Sequence, residues 1–321
     1  MLALAAAAPA GCAPADALKS SLTMLSFNGN VSGKVAAPFD AAPLAAFTRL
    51  EMLHVQRAAG ITHTEALSSL RSLKKLDLHY AGAWSAFDMA GLTALTEVNL
   101  FDCPLDQVAR LRDAPALTKA SVGTARGDGD LVLDGHRALE SFSLTSAPGA
   151  RSVSLRECLK LTTATASRLG GVERVDVTGC AALRTLTVAS NSNLKELRGL
   201  DTLTALALLD AAATPAAWIP SKPLAGLTAL ARLRYASWPL VDCAPLRAFP
   251  HLRTLDLSAS PQLASVRDLA ELTQLTALYV QWCGKLASLE GLEALPLQTL
   301  SAQGIAVKGP DAPDALRRFF K

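Results

Sequence analysis

The sequence predicts an α/β solenoid, a stack of short coils that each add one strand to a parallel sheet. Three observations predict it. A two-step apolar pattern, L-x-L or its equivalent, recurs at a near-constant interval of about 22 residues in two long runs. The segment after each such pattern places apolar residues every third position, which suits a short α or 3₁₀ turn. And 50% of the 321 residues are hydrophobic while only 5% are aromatic, so the apolar volume comes from Leu, Ala and Val, in thin repeated layers.

The first run of the pattern is Leu53-His-Val55, Leu76-Asp-Leu78, Val98-Asn-Leu100, Ala120-Ser-Val122 and Phe142-Ser-Leu144. The second is Leu233-Arg-Tyr235, Leu255-Asp-Leu257, Leu278-Tyr-Val280 and Leu300-Ser-Ala302. Each is a strand whose two apolar side chains point inward and whose middle residue points out. The following stretches, Leu105, Val108, Leu111 in one coil and Leu263, Val266, Leu269, Leu272 in another, form the return. Pro115, Pro250 and Pro296 stand shortly before the next strand, where proline stops a helical turn and biases its predecessor toward extended backbone. A single coil cannot bury its apolar face, so the coils must stack.

"LTALTEVNLFDCPL" (92–105) and "LTQLTALYVQWCGKL" (272–286) resemble the leucine-rich repeat, LxxLxLxxN/CxL. The resemblance covers roughly residues 20–307, and its short coil is most similar to the intracellular, phosphatase-regulator-like type. It implies a curved horseshoe with a parallel sheet on the concave face and short helical, 3₁₀ or extended segments on the convex face. In that pattern the N/C position closes the corner after the strand with its side chain inward. Cys103, Cys158, Cys180 and Cys283 occupy it, as do Asn30 and Asn191. An inward Asn satisfies backbone groups of the tight corner; a cysteine does so weakly but tolerates burial. The reading of these cysteines is therefore buried structural thiols. No CxxC pair and no Cys-His cluster has the spacing of a zinc site, and free thiols suit a reducing compartment. Cys12 and Cys243 lie outside the pattern.

From Leu131 the register halves, with blocks opening at Leu131, Phe142, Val153, Ala164, Val175 and Leu186. Two such blocks make one coil, so both sides of the solenoid are expected to be extended over 131–196. This leaves open whether Val175-x-Val177 or Leu186-x-Val188 continues the concave sheet. Residues 209–224 carry three prolines and Trp218 and are read as an insertion loop with Trp218 folded back as a plug. Residues 308–321 read as a C-terminal cap, with Phe319 and Phe320 as its buried part and Arg317 and Arg318 wet. Residues 1–19 are apolar enough for a signal core but lack a positive n-region, so they read as an Ala-rich leader or N-terminal cap rather than an export signal.

The net charge of +3 is spread along the chain, with no Lys/Arg run dense enough for nucleic acid or a membrane surface, and no stretch of about 18 apolar residues for a membrane span. None of His54, His63, His79, His136 and His251 has a motif neighbour that makes a nucleophile pair, and GxSxG, HExxH and GxxxxGK[ST] are all missing. Gly127–Asp130 reads as a turn rather than a calcium loop. No catalytic residue, metal site or cofactor is therefore expected.

Binding is left, through the outward residues of the strands. In the first half these are His54, Gln56 and Arg57; Lys75, Asp77, His79 and Tyr80; Glu97, Asn99, Phe101 and Asp102. In the second half they are Arg232 and Arg234; Thr254, Asp256 and Ser258; Tyr279, Gln281 and Trp282. The centre is poorer, with Ser121, Gly123, Ser143, Thr145, Asp176 and Thr178. His54 and His79 are expected at equivalent positions of successive coils. Arg234, Asp256 and Tyr279 are expected in one row with Trp282 as its rim, and exposed aromatics and Arg are what interface hot spots favour. The expectation is a monomeric, cytoplasmic protein-interaction scaffold. The alternatives are a secreted or surface recognition protein of microbial-effector kind, and the substrate-recognition part of a larger enzyme such as a ubiquitin ligase or kinase.

Overall fold

The computed structural model describes residues 21–29, 37–82, 84–215, 218–219 and 226–320. The expected leader, Cys12 and Asn30 lie outside them. The chain divides into two compact units, residues 1–158 and 159–321.

The first unit carries six parallel strands of a main sheet in chain order: Met24–Asn28, Met52–Gln56, Lys75–His79, Glu97–Phe101, Lys119–Val122 and Ser141–Leu144. Leu53, Leu76, Val98, Ala120 and Phe142 stand in register across them, and all are buried. The second unit carries seven: Thr163–Ala166, Thr185–Thr187, Leu208–Asp210, Arg232–Arg234, Thr254–Asp256, Ala277–Tyr279 and Thr299–Ser301. Here Ala164, Leu186, Leu209, Leu233, Leu255, Leu278 and Leu300 form the inward row. Every strand pairs parallel with the next coil because each coil returns the chain to the same end before the next strand begins.

The returns explain the three-residue period. Leu67, Leu70 and Leu73 are buried, and the N–H of each later leucine donates to the carbonyl three residues back, at 3.2 and 2.9 Å. This is 3₁₀ geometry, in which residues i and i+3 share one face. It recurs in the 3₁₀ segments Thr64–Ser69, Ala244–Ala248 and Arg267–Glu271; Leu105–Ala109 closes as an α-turn instead.

The half-coil blocks alternate between two faces. Phe142-x-Leu144, Ala164-x-Ala166 and Leu186-x-Val188 enter the main sheet. A back sheet takes the intervening blocks: Asp128–Val132 pairs with Gly149–Ser154 in the first unit, and Arg174–Asp176 with Glu196–Arg198 in the second. Asp176 and Thr178, expected on the concave face, therefore stand at the back, where the Asp176 carboxylate accepts the Thr178 N–H at 3.0 Å and its hydroxyl at 2.6 Å. Cys158 and Cys180 close back-sheet corners; Cys103 and Cys283 close main-sheet corners. All four are buried free thiols, as is Cys243.

Three main-sheet corners of the second unit are each held by a side chain from the following coil. Asn191 accepts the Leu169 N–H at 2.9 Å and donates to the carbonyls of Ala166 and Val188 at 2.7 and 2.8 Å. Ser260 does the same with less reach: it accepts the Trp238 N–H at 2.8 Å and donates to the Leu257 carbonyl. Cys283 donates to the Leu257 carbonyl at 3.3 Å. In the first unit His136 fills a back-sheet corner, with Nδ1 accepting the Leu139 N–H at 3.2 Å and Nε2 donating to the Ala114 carbonyl at 3.1 Å. Both bonds use the neutral ring, and burial lowers its pKa.

Asp210 pairs with Arg234 on the very next strand, so the expected insertion adds only a little to an ordinary coil. Residues 216–217 and 220–225 lie outside the described residues. Trp218 is buried, stacked on Tyr235 at 5.8 Å, and Trp238 meets Tyr235 edge-on at 4.5 Å. The Tyr235 hydroxyl donates to the Thr214 and Pro215 carbonyls, and burial pushes the phenol up to about 12. At the C-terminal end, Asp314–Phe319 forms a 3₁₀ cap. Its buried residue is Leu316, with Ala312 buried just before it, whereas Phe319 and Phe320, expected inside, are half-buried. The 3₁₀ spacing aims Leu316 at the last coil. Phe319 instead lies under the Arg318 guanidinium, 4.7 Å from its ring centre.

Candidate functional site

On the outer face of the first unit, His54 pairs in register with Asp77, not with His79; His79 stands between Gln56 and Phe101. The two histidines are thus out of step in the coil, yet both close on one carboxylate. His54 Nδ1 is 3.2 Å from Asp77 Oδ2 and His79 Nε2 is 2.8 Å from Asp77 Oδ1. The second contact is short but poorly aligned, which leaves buried Oδ1 without a hydrogen bond. Beside this group, Phe101 lies 6.2 Å from the His79 ring and 4.4 Å from the Tyr80 ring. Gly123, just past the next strand, makes room: a Cβ there would collide with the Phe101 ring. Lys75 lies 3.0 Å from Glu97, which also accepts the Asn99 amide at 3.3 Å. The Lys75 ammonium holds the Glu97 carboxyl below the usual range, against the opposing effect of burial.

In the second unit, Arg234, Asp256 and Tyr279 stand side by side in register, as the spacing predicts, and the row extends to Asp210 on one side and Ser301 on the other. Asp210 is masked in the L-x-L pattern because its strand reads Leu209-Asp-Ala211, and its place one coil before Arg234 is the signal that marks it. Its carboxylate accepts from the Arg234 guanidinium at 3.0 Å. Asp256 accepts the Ser258 N–H at 3.0 Å, and Gln281 donates to the Ser301 hydroxyl at 2.6 Å. Leu208, Arg232, Arg234, Thr254, Asp256 and Tyr279 line a shallow cleft.

Trp282 rims this row and is 62% exposed; Tyr80 in the first unit is 52% exposed. Both stand two residues past the second inward residue of their coil, Val280 and Leu78, where the backbone turns left-handed, at φ 60° and 50°. In eight other coils that place is held, with the same left-handed turn, by Arg57, Asp102, Arg168, Ser190, Ala213, Ser237, Ala259 and Gly304. A left-handed turn costs a non-glycine residue roughly 1–2 kcal/mol, and it throws the side chain away from the core. The Trp282 ring rests on Gly304, where a Cβ would come within 2.5 Å of it. It does not fold down into its own coil.

Among the described residues no group of three His, Cys, Asp or Glu side chains stands close enough to hold a metal ion, and no helix is long and apolar enough to cross a membrane.

No protein-family profile and no curated protein matches the chain. Solved structures do. An internalin, InlF, from Listeria monocytogenes superposes with a TM-score of 0.50 at 17% identity, over 94% of this chain and 85% of that one. A leucine-rich-repeat protein of Leptospira interrogans covers 95% of this chain and 89% of its own at 14% identity, with a TM-score of 0.46. The functional domain of InlJ from Listeria monocytogenes covers 90% and 65% at 16% identity, with a TM-score of 0.41. At these identities the likeness concerns architecture alone. Together with the parallel one-strand-per-coil sheets and the inward corner side chains, the likeness to InlF shows that this chain has the leucine-rich-repeat fold.

Proposed function

We propose that the chain is a non-catalytic protein-binding scaffold that holds a partner against the outer face of its main sheet, with a contact in the second unit centred on Tyr279 and Trp282 and flanked by Arg234 and Asp256. One observation carries the reading. A tryptophan that is 62% exposed is held at a left-handed corner beside a complete row of polar and aromatic side chains. Within the chain its ring lies on Gly304. The arrangement exposes apolar area and bears backbone strain, and a partner that covers the ring recovers about 2 kcal/mol or more if it is a hot spot. His54, Asp77, His79, Asn99, Phe101 and Tyr80 offer a second, similar patch in the first unit.

The test is Trp282→Ala, with affinity capture from the native cell and thermal melting measured on the same preparation. Lost capture with a nearly unchanged melting curve is expected. A melting temperature several degrees lower, with normal capture by the protein that stays folded, would make Trp282 a structural lid and refute the assignment.

A further inference from the structure

The charges at the opening end of the main-sheet strands differ between the two units. In the first unit the opening positions carry Glu51, Lys74, Lys75, Glu97, Lys119 and Glu140, and the first five engage one another. Lys74 lies 2.9 Å from Glu51, Lys75 3.0 Å from Glu97 and Lys119 3.9 Å from Glu97. In the second unit one row is defined by backbone bonds running from Arg184 to Thr162, Ala207 to Arg184, Ala231 to Ala207, Arg253 to Ala231, Thr276 to Arg253 and Gln298 to Thr276. The row behind it reads Thr163, Thr185, Leu208, Arg232, Thr254, Ala277 and Thr299. These two rows hold Arg184, Arg232 and Arg253, all exposed, and no carboxylate. Among the described residues none of the three guanidinium groups has an ion-pair partner, whereas Arg234, one position deeper, is taken by Asp210.

We propose that this end of the second unit's outer face binds an acidic peptide segment in extended conformation, its carboxylates on Arg184, Arg232 and Arg253. This rests on the protein-binding reading above and names the chemistry of the partner. The spacing supports it. Arg184 and Arg253 stand three strands apart, about 14 Å at ~4.8 Å per strand, and an extended peptide places residues i and i+4 about 13.6 Å apart on one face. A segment lying across the strands with acidic residues at i, i+2 and i+4 meets Arg184 with its first and Arg253 with its last, and Arg232, two strands from Arg184 and one from Arg253, lies within reach of the two later ones. Guanidinium forks bind carboxylates in two-point fashion. A phosphate backbone is the weaker fit, because Asp210 and Asp256 line the adjoining row and repel a continuous polyanion, while a peptide also offers Asp256 its N–H donors.

The experiment uses the full chain and fluorescence anisotropy at low salt. Its probes are a short labelled peptide of alternating Glu and Ser, the same peptide with Gln for Glu, and a labelled single-stranded oligonucleotide of similar length. The Glu peptide binds and the Gln peptide does not. The pair Arg232→Glu with Arg253→Glu weakens binding by about tenfold or more, and the charge-matched pair Arg151→Glu with Lys308→Glu, away from this row, leaves it unchanged. Equal binding of the Gln peptide, indifference to the Arg232 and Arg253 reversals, or an oligonucleotide bound through the same arginines more tightly than the Glu peptide overturns the proposal. If the Glu peptide fails while Trp282→Ala still abolishes cellular capture, the acidic assignment falls and the protein-binding reading stands. If capture also survives Trp282→Ala, both fall.

Discussion

Replacing Asn191 with leucine removes the side chain that closes a main-sheet corner while keeping apolar bulk at a fully buried position. Three bonds disappear with it: the one accepted from the Leu169 N–H and the two donated to Ala166 and Val188. The Leu169 amide and the Ala166 and Val188 carbonyls lose this partner inside the stack. A buried polar group without a partner costs about 1–3 kcal/mol, so three such groups cost about 3–9 kcal/mol before the leucine's own burial offsets about 2 kcal/mol of it. Asn191→Cys is the informative companion. A thiol at this kind of corner still reaches one carbonyl, as Cys283 reaches Leu257 at 3.3 Å, but it is a poor acceptor for the Leu169 N–H. Its cost should be roughly half that of leucine. Urea denaturation followed by far-UV circular dichroism gives the stabilities. Amide exchange at Leu169 gives the local effect, because that proton should lose its protection before its neighbours do. If Asn191→Leu leaves the unfolding midpoint where it was and the Leu169 amide stays protected, the corner bonds carry no stability and the account of the N/C position is wrong.

Cys103, Cys158, Cys180, Cys243 and Cys283 should alkylate slowly in the native protein and at once in guanidinium. All five are buried, and burial pushes the Cys103 thiol up to about 12, which leaves almost no thiolate at neutral pH. Any of them reacting natively at the rate of a free thiol would show that its corner is open. His136 predicts a pH effect of definite sign. Its folded pKa is lowered, so the unfolded chain takes up the proton first; its contribution is whole above histidine's usual value of about 6.5 and declines as the pH falls below it. The wild-type chain should therefore lose more stability between pH 7 and 5 than His136→Asn does, and parallel pH profiles for the two in urea melts would disprove the burial argument.

The repeating strands were legible because an inward apolar pair that returns at so steady an interval has no other simple explanation. The alternation of sheets over residues 131–198 was harder, since Val175-x-Val177 and Leu186-x-Val188 are the same pattern to the eye. The answer lay in the count, as whole-coil steps from Leu144 land on Ala166 and Val188, the residues that close main-sheet blocks. Two side-chain readings went astray for local reasons. His79 follows the inward pair of its strand while His54 sits inside its own, so the two do not align, although Asp77 draws them together. Phe319 and Phe320 are the larger residues of the cap, but the 3₁₀ turn points Leu316 at the core. The row Arg234, Asp256, Tyr279 came directly from spacing. The room that Gly123 makes for Phe101, and Gly304 for Trp282, did not, because a contact between coils leaves no mark on either strand's own pattern.

The two-faced coil bears on how such a gene can change length. In the second unit the chain passes from Thr163–Ala166 at the front to Arg174–Asp176 at the back, then to Thr185–Thr187 at the front and Glu196–Arg198 at the back. Loss or duplication of a whole coil by slipped copying returns every later strand to its own sheet and every corner residue to a corner. A slip of half a coil turns each later strand to the opposite face, so that the outward arginines and aromatics downstream exchange places with the back of the stack. The sequence tolerates copying errors of one size and is intolerant of the other, although both preserve the reading frame and the alternation of Leu and polar residues.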